Sequence, residues 1–252
     1  MQLLMYYYVF KQIQKIFFKD KNSNTKFIIK GNKTMYKLKI YKNVKYISRK
    51  IPVLILINYD DTGDEIFEKA RKKIKQDFVL AVIYNINWDK DLSPWKIEKI
   101  NKYDNFEGGA DNFSRILNGE ILEKIRKETD NNIKELILCG YSLAGLFSLY
   151  EIYKVGNFSK IVCASASFWY PNFIDFIKQH EPVIIPKKIY FSLGNKESNV
   201  KNEILNKVEE NTIFLSDYYK KFNIETKYDI NEGNHFYDVT NRIVKGIEWI
   251  LK

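Results

Sequence analysis

The chain has 252 residues, 45% hydrophobic and 29% charged, the make-up of an ordinary folded protein with apolar mass for a full core. Its net charge of +10 is carried almost wholly by lysine, arginine standing only at positions 49, 71, 115, 126 and 242. Nucleic-acid binders gather both residue types into one stripe with interleaved aromatics, whereas these lysines are scattered through loops and helix faces. That distribution argues against a nucleic-acid partner, while the positive charge leaves room for an anionic substrate.

The opening stretch "MQLLMYYYVFKQIQKIFF" lacks a basic leader and a small-residue cleavage site, and its apolar run is too short to span a bilayer. It reads as an amphipathic extension over residues 1–23, with a start codon placed upstream of the true protein as the alternative. A cytoplasmic location is the expectation. Residues 24–252 show no repeat, no Pro- or Gly-rich linker and no shift of composition, and are expected to form one domain.

Within that domain, "KFIIKGNKTMYKLKIYK" sets Gly31 and Asn32 between alternating apolar residues, a hairpin pattern. "IPVLILINY" (51–59) and "FVLAVIYNI" (78–86) are continuous apolar runs suited to strands buried on both faces. Between them, "DEIFEKARKKIKQ" has helical spacing at Ile66, Phe67, Ala70 and Ile74. Residues 87–111 read as a long irregular segment carrying Trp88 and Trp95, and 108–128 as an amphipathic helix.

Further on come strand 135–140 with helix 143–154, strand 160–167 with a short helix around "NFIDFIKQ", and strand 187–194 with a helix over 202–222. Strand 226–231 and helix 237–251 close the chain. Alternating buried strands and helices predict an α/β fold, a mostly parallel sheet with helices on both faces and an N-terminal hairpin. Cys139 and Cys163 fall inside strands, where neighbouring positions rarely offer disulfide geometry, and buried free thiols suit a reducing compartment. With only His180 and His235, no cluster has metal-ligand spacing, so no metal is expected.

In "KELILCGYSLAGLFSLYEIYK", an apolar strand stops at Gly140 and an amphipathic helix follows, with Ser142 on the turn between them. A nucleophilic serine is presented in this way when small flanking residues let helix and strand approach closely. Gly140 and Ala144 flank Ser142 at minus two and plus two, with Gly145 next, and Ala144 adds one methyl where the G-x-S-x-G pattern has its second glycine. A serine hydroxyl needs a base within hydrogen-bond reach. His235, in "NEGNHFYDVT" between the last strand and the last helix, lies where the order nucleophile, acid, histidine requires it. His180 reads as a solvated residue at a surface helix end.

The acid that orients the base is expected after strand 187–194, in "NKESNVKN". Glu197 is taken for it, with Asp238 as the alternative because it lies close to His235 in sequence. The oxyanion hole is expected from the Leu143 N–H and from Tyr59 or Asp60 in "YDDTGDE". Tyr141, Trp169, Tyr170, Phe236, Trp88 and Trp95 are the candidate lining of an aromatic substrate pocket.

Taken in order, "DLSPW", "GGADNF", "GYSLAGLFSLY", "ASFWYPNF", "FSLGNKES" and "GNHF" resemble an esterase group of the α/β-hydrolases, over about residues 50–252. The group includes the enterochelin (ferric siderophore) esterases and the esterase D relatives. The resemblance implies hydrolysis of carboxylic esters without metal or organic cofactor, with Ser142 matching the nucleophile, His235 the base and Glu197 the acid. It departs at Ala144 and after the first central strand, and no arginine matches those that hold ferric catecholates, so the natural substrate does not carry over. The leading expectation is a serine esterase acting on a small-molecule ester. The alternatives are an acyltransferase sharing the acyl-enzyme half-reaction, and a non-catalytic binding protein on the same fold.

Overall fold

The computed structural model describes residues 25–30, 35–45, 50–102 and 104–252. The expected N-terminal extension and the Gly31–Asn32 turn lie outside them. Among the described residues, eight strands form one sheet in the order β1-β2-β4-β3-β5-β6-β7-β8. They are β1 (Thr25–Lys30), β2 (Met35–Asn43), β3 (Ile51–Ile57), β4 (Phe78–Tyr84), β5 (Ile133–Tyr141), β6 (Lys160–Ala164), β7 (Lys188–Gly194) and β8 (Glu225–Asn231). The β1–β2 and β2–β4 pairs are antiparallel, and all pairs from β4 through β8 are parallel.

The helices are α1 (Gly63–Lys73), α2 (Trp88–Leu92), α3 (Ala110–Ile116), α4 (Leu122–Glu128), α5 (Leu143–Glu151), α6 (Phe173–Gln179), α7 (Val208–Lys220) and α8 (Val239–Ile250). Every residue of β3 and β4 is buried, because helices cover both faces. Alternation along β3 divides the core: Leu54 and Leu56 pack with Ile66, Phe67 and Ala70 of α1 and Ile243, Val244 and Ile247 of α8. Val53, Ile55 and Ile57 face the opposite layer, which includes Phe113, Leu146, Phe147, Ile177 and Leu215.

Between residues 87 and 128 the structure differs from the expectations in two ways. The 87–111 segment contains α2, whose five residues are too few to show a helical period, and an isolated bridge between Lys96 and Glu107. The helix expected over 108–128 passes through a π turn, Leu117–Ile121, between α3 and α4. That widening sets Asn118 where its Nδ2 donates to Glu151 Oε1 at 2.5 Å. Glu151 ends α5 with no exposed surface, its Oε1 also accepting from the Ser114 hydroxyl at 2.9 Å. Burial pushes its carboxyl up to about 7, against the hydrogen bonds from Asn118 and Ser114.

Cys139 and Cys163 are both buried and unpaired. No helix among the described residues is long and apolar enough to cross a membrane.

Candidate active site

The carboxyl ends of the parallel strands, where open α/β sheets bind ligands, carry the candidate residues. At the end of β5 the backbone turns sharply at Ser142, with φ 57° and ψ −126°, and α5 starts at the next residue. A non-glycine residue there costs on the order of 1–3 kcal/mol and persists only where its surroundings enforce it. They do so here: the Ser142 N–H donates to Ala164 O at 3.2 Å, and its carbonyl accepts from the N–H groups of Gly145 and Ser167, each at 3.0 Å.

A Cβ on Gly140 would overlap the Ala144 carbonyl, and one on Gly145 would come within 2.7 Å of the Ala166 Cβ. The close approach therefore falls on positions 140 and 145. Ala144, the second residue of α5 and fully buried, is accommodated without a glycine.

His235 Nε2 lies 2.9 Å from Ser142 Oγ, joining residues 93 apart in the chain. On the far side of the ring, Nδ1 lies 2.7 Å from Glu197 Oε2. Glu197 is almost completely buried, and its Oε1 accepts from the Gly194 N–H at 2.7 Å and from Arg242 Nη1 at 2.6 Å. Burial opposes the Glu197 charge, but the hydrogen bond and charge of His235 and the Gly194 N–H outweigh it and hold the carboxyl below its ordinary value. An ionised Glu197 accepts only, so Nδ1–H is the donor, and in the neutral ring the Nε2 lone pair faces the Ser142 hydroxyl.

The loops carrying Glu197 and His235 are stitched together. Asn195 Oδ1 accepts from Gly233 N–H at 2.9 Å, and Gly233 O accepts from Lys196 N–H at 3.2 Å. Tyr141, immediately before the turn, donates its hydroxyl to His235 O at 2.7 Å.

Leu143 opens α5, so its N–H has no acceptor within the helix. Across the site, the loop after β3 is shaped by Asn58, whose Nδ2 donates to Asp60 O and to Thr62 Oγ1, each at 2.9 Å. Tyr59 and Asp60 line a cavity of about 500 Å³ together with Ser142, His235, Trp88, Tyr141 and Phe236. Tyr59 and Trp88 meet edge to face at 5.3 Å, and Phe236 is 84% exposed at the rim.

Trp95, Trp169 and Tyr170, expected in this pocket, do not line it. Tyr170 donates to Trp95 O at 2.5 Å, and Trp95 Nε1 donates to Pro171 O at 3.1 Å. These bonds tie the 87–111 segment to the chain after β6. Trp169 borders a separate groove of about 380 Å³ with Ile174, Glu203 and Lys207. Asp238 is exposed at the start of α8, its Oδ1 accepting from Asn241 Nδ2 at 2.6 Å. His180 is exposed at the end of α6, stacked on Phe176. Among the described residues, no group of three or more His, Cys, Asp or Glu is placed to hold a metal ion.

Sequence reasoning passed over Asn58 and Arg242. Asn58 is a polar residue closing an apolar strand, and Arg242 is an arginine on the apolar face of a helix in a chain whose cations are mostly lysine.

No protein-family model matches the sequence, and no curated protein resembles it in sequence. Solved structures do resemble it. An IroE-like serine hydrolase of Shewanella oneidensis superposes with a TM-score of 0.75 at 15% identity, covering 90% of this chain and 79% of that one. The chain has the α/β-hydrolase fold. The siderophore hydrolase EstA of Aspergillus nidulans gives a TM-score of 0.67 at 17% identity, covering 90% of this chain and 94% of that one. The BES protein of Bacillus cereus gives 0.69 at 19%, covering 92% and 95%. At such identities the likeness is one of fold, and the α/β-hydrolase expectation drawn from the motifs holds at that level.

Proposed function

We propose that this α/β-hydrolase is a serine carboxylic-ester hydrolase that works through an acyl-enzyme on a small-molecule ester. The observation that carries the reading is the continuous hydrogen-bonded line Ser142 Oγ, His235 Nε2 and Nδ1, Glu197 Oε2, at 2.9 and 2.7 Å, standing on a strained turn at the sheet's carboxyl edge. The names of the structural neighbours, a serine hydrolase and a siderophore hydrolase, point to the same reaction class.

In this mechanism Ser142 Oγ attacks the ester carbonyl carbon as its proton passes to His235 Nε2. The resulting oxyanion accepts from the Leu143 N–H and from an N–H of Tyr59 or Asp60. Collapse breaks the bond to the alkoxy oxygen, which takes the proton from Nε2 and leaves as the alcohol. Water then attacks the acyl–Ser142 carbonyl and gives a proton to Nε2. That proton returns to Ser142 Oγ as the carboxylic acid departs. Glu197 remains ionised throughout and stabilises the imidazolium.

The aromatic side chains of Tyr59, Trp88 and Phe236 at the cavity suit an ester with an apolar or aryl group. Turnover of p-nitrophenyl butyrate tests the reading: Ser142→Ala is expected to reduce kcat by on the order of 10³-fold or more. Unchanged turnover in that variant would overturn it.

A further inference from the structure

We infer that Arg242 is a positioning residue that holds the Ser142, Glu197 and His235 segments in one register. Its side chain is 1% exposed and sits on the face of α8 turned toward the strand ends. Taking a guanidinium out of water is unfavourable unless its donors are met, and here both Nη groups are met while the buried Nε–H has no partner. Here Nη1 donates to Glu197 Oε1 at 2.6 Å, Ser165 Oγ at 3.0 Å and the Tyr141 hydroxyl oxygen at 3.1 Å. Nη2 donates to Glu232 O at 2.7 Å and Asn234 O at 2.9 Å.

These acceptors lie on four segments that the fold brings together. Tyr141 directly precedes Ser142, Glu232 and Asn234 stand on the approach to His235, and Glu197 is the proposed acid itself. Ser165 follows Ala164, whose carbonyl accepts from the Ser142 N–H. The chain also makes room for the group: a Cβ on Gly194 would come within 2.6 Å of Nη2.

A salt bridge serving stability alone would need Glu197 and nothing more. The planar fork instead ties both loops and the end of β5 at once, with Tyr141 relaying the contact to the His235 carbonyl. Lysine, a single point donor, reaches Glu197 or the two carbonyls but not both. Arg242 thus acts through Glu197 and the His235 loop, without touching substrate.

The role rests on the esterase reading only where turnover is measured, so the test adds a readout that needs no substrate. In Arg242→Lys, which keeps the charge, we expect a melting temperature close to that of the wild type. KM for p-nitrophenyl butyrate should stay within about twofold while kcat falls by about 10²-fold, the scale set by misplaced catalytic groups. The hydrogen-bonded Nδ1 proton of His235, seen by proton NMR of the free protein, should shift or broaden. In the Glu197→Gln background, Arg242→Gln should lower kcat by a smaller factor than it does in the wild-type background, because part of its hold runs through Glu197. An unmoved Nδ1 proton with kcat within twofold in Arg242→Lys would overturn the inference, as would losses that multiply in the double variant. Should the wild type turn over no ester, the esterase reading fails alone, and the Nδ1 proton still decides for or against Arg242.

Discussion

Glu197 Oε2 meets His235 Nδ1 at 2.7 Å from a loop that lies 38 residues away in the chain, whereas Asp238, only three residues from His235, turns its carboxylate to Asn241. The αL backbone of Asp238, with φ 56°, starts α8 and aims the side chain along the helix end. Glu197→Gln is therefore expected to lower kcat for a nitrophenyl ester by on the order of 10³-fold, by removing the partner that fixes the imidazole tautomer. Asp238→Asn should stay within about threefold of wild type. Steady-state kinetics on both variants check this, and the opposite ranking would move the acid to Asp238.

The turn at Ser142 explains why Ala144 is tolerated and predicts which neighbours are not. Ala144→Gly should keep the activity within about twofold while costing about 1 kcal/mol, since glycine is the poorer helix former. Gly140→Ala should be far more damaging, because its methyl would overlap the Ala144 carbonyl. Denaturant melts and turnover of the two variants check the contrast.

Trp95 and Phe236 should separate stability from binding. Trp95→Ala removes the ring that packs on Tyr170, Phe173 and Phe176, and should cost about 3 kcal/mol with KM little changed. Phe236→Ala, at the exposed rim of the Ser142 cavity, should raise KM for aryl esters several-fold and leave the melting temperature within a few degrees. Kinetics and melting on both variants decide whether Phe236 or Trp95 contacts the substrate.

Glu151 gives the protein a pH-dependent stability whose sign follows from its carboxyl being pushed up to about 7 from 4.5. Between those values the folded chain binds the proton that the unfolded chain has released, so stability falls as the pH rises through that window and levels off above it. The fall amounts to roughly 3 kcal/mol. Glu151→Gln, which keeps the Oε1 acceptor, should flatten this part of the profile and melt higher than wild type at pH 8. Thermal melts from pH 5 to pH 8 measure it, and parallel curves for the two proteins would contradict the account.

Much of the architecture was legible because short β-branched-rich runs such as "IPVLILI" and "FVLAVIY" suit strands covered on both faces, and the helices between them carry apolar residues on one side. The candidate site was legible where local pattern and scarcity coincide: a serine between glycines at a strand end, and one of two histidines ahead of the last helix. The pairing of β2 with β4 had no local signature, since register between distant strands is a property of the assembled sheet. For the same reason the pocket was partly misdrawn. Like Trp88, Trp95 and Tyr170 are aromatic residues in stretches that read as irregular in the sequence, and only their bonds to each other's segments show that they fasten the structure instead of facing Ser142. Arg242 was invisible as a hub, because its five acceptors come from four separate stretches of chain.

The central claim is that Ser142 is a nucleophile activated by His235. Labelling with a fluorophosphonate probe, followed by peptide mapping, tests it most directly. The account predicts one covalent adduct on the peptide bearing Ser142 in the wild type, strongly slowed labelling in His235→Ala, and no adduct in Ser142→Ala. Equal labelling of the wild type and Ser142→Ala, or a folded wild type that takes no label, would contradict it.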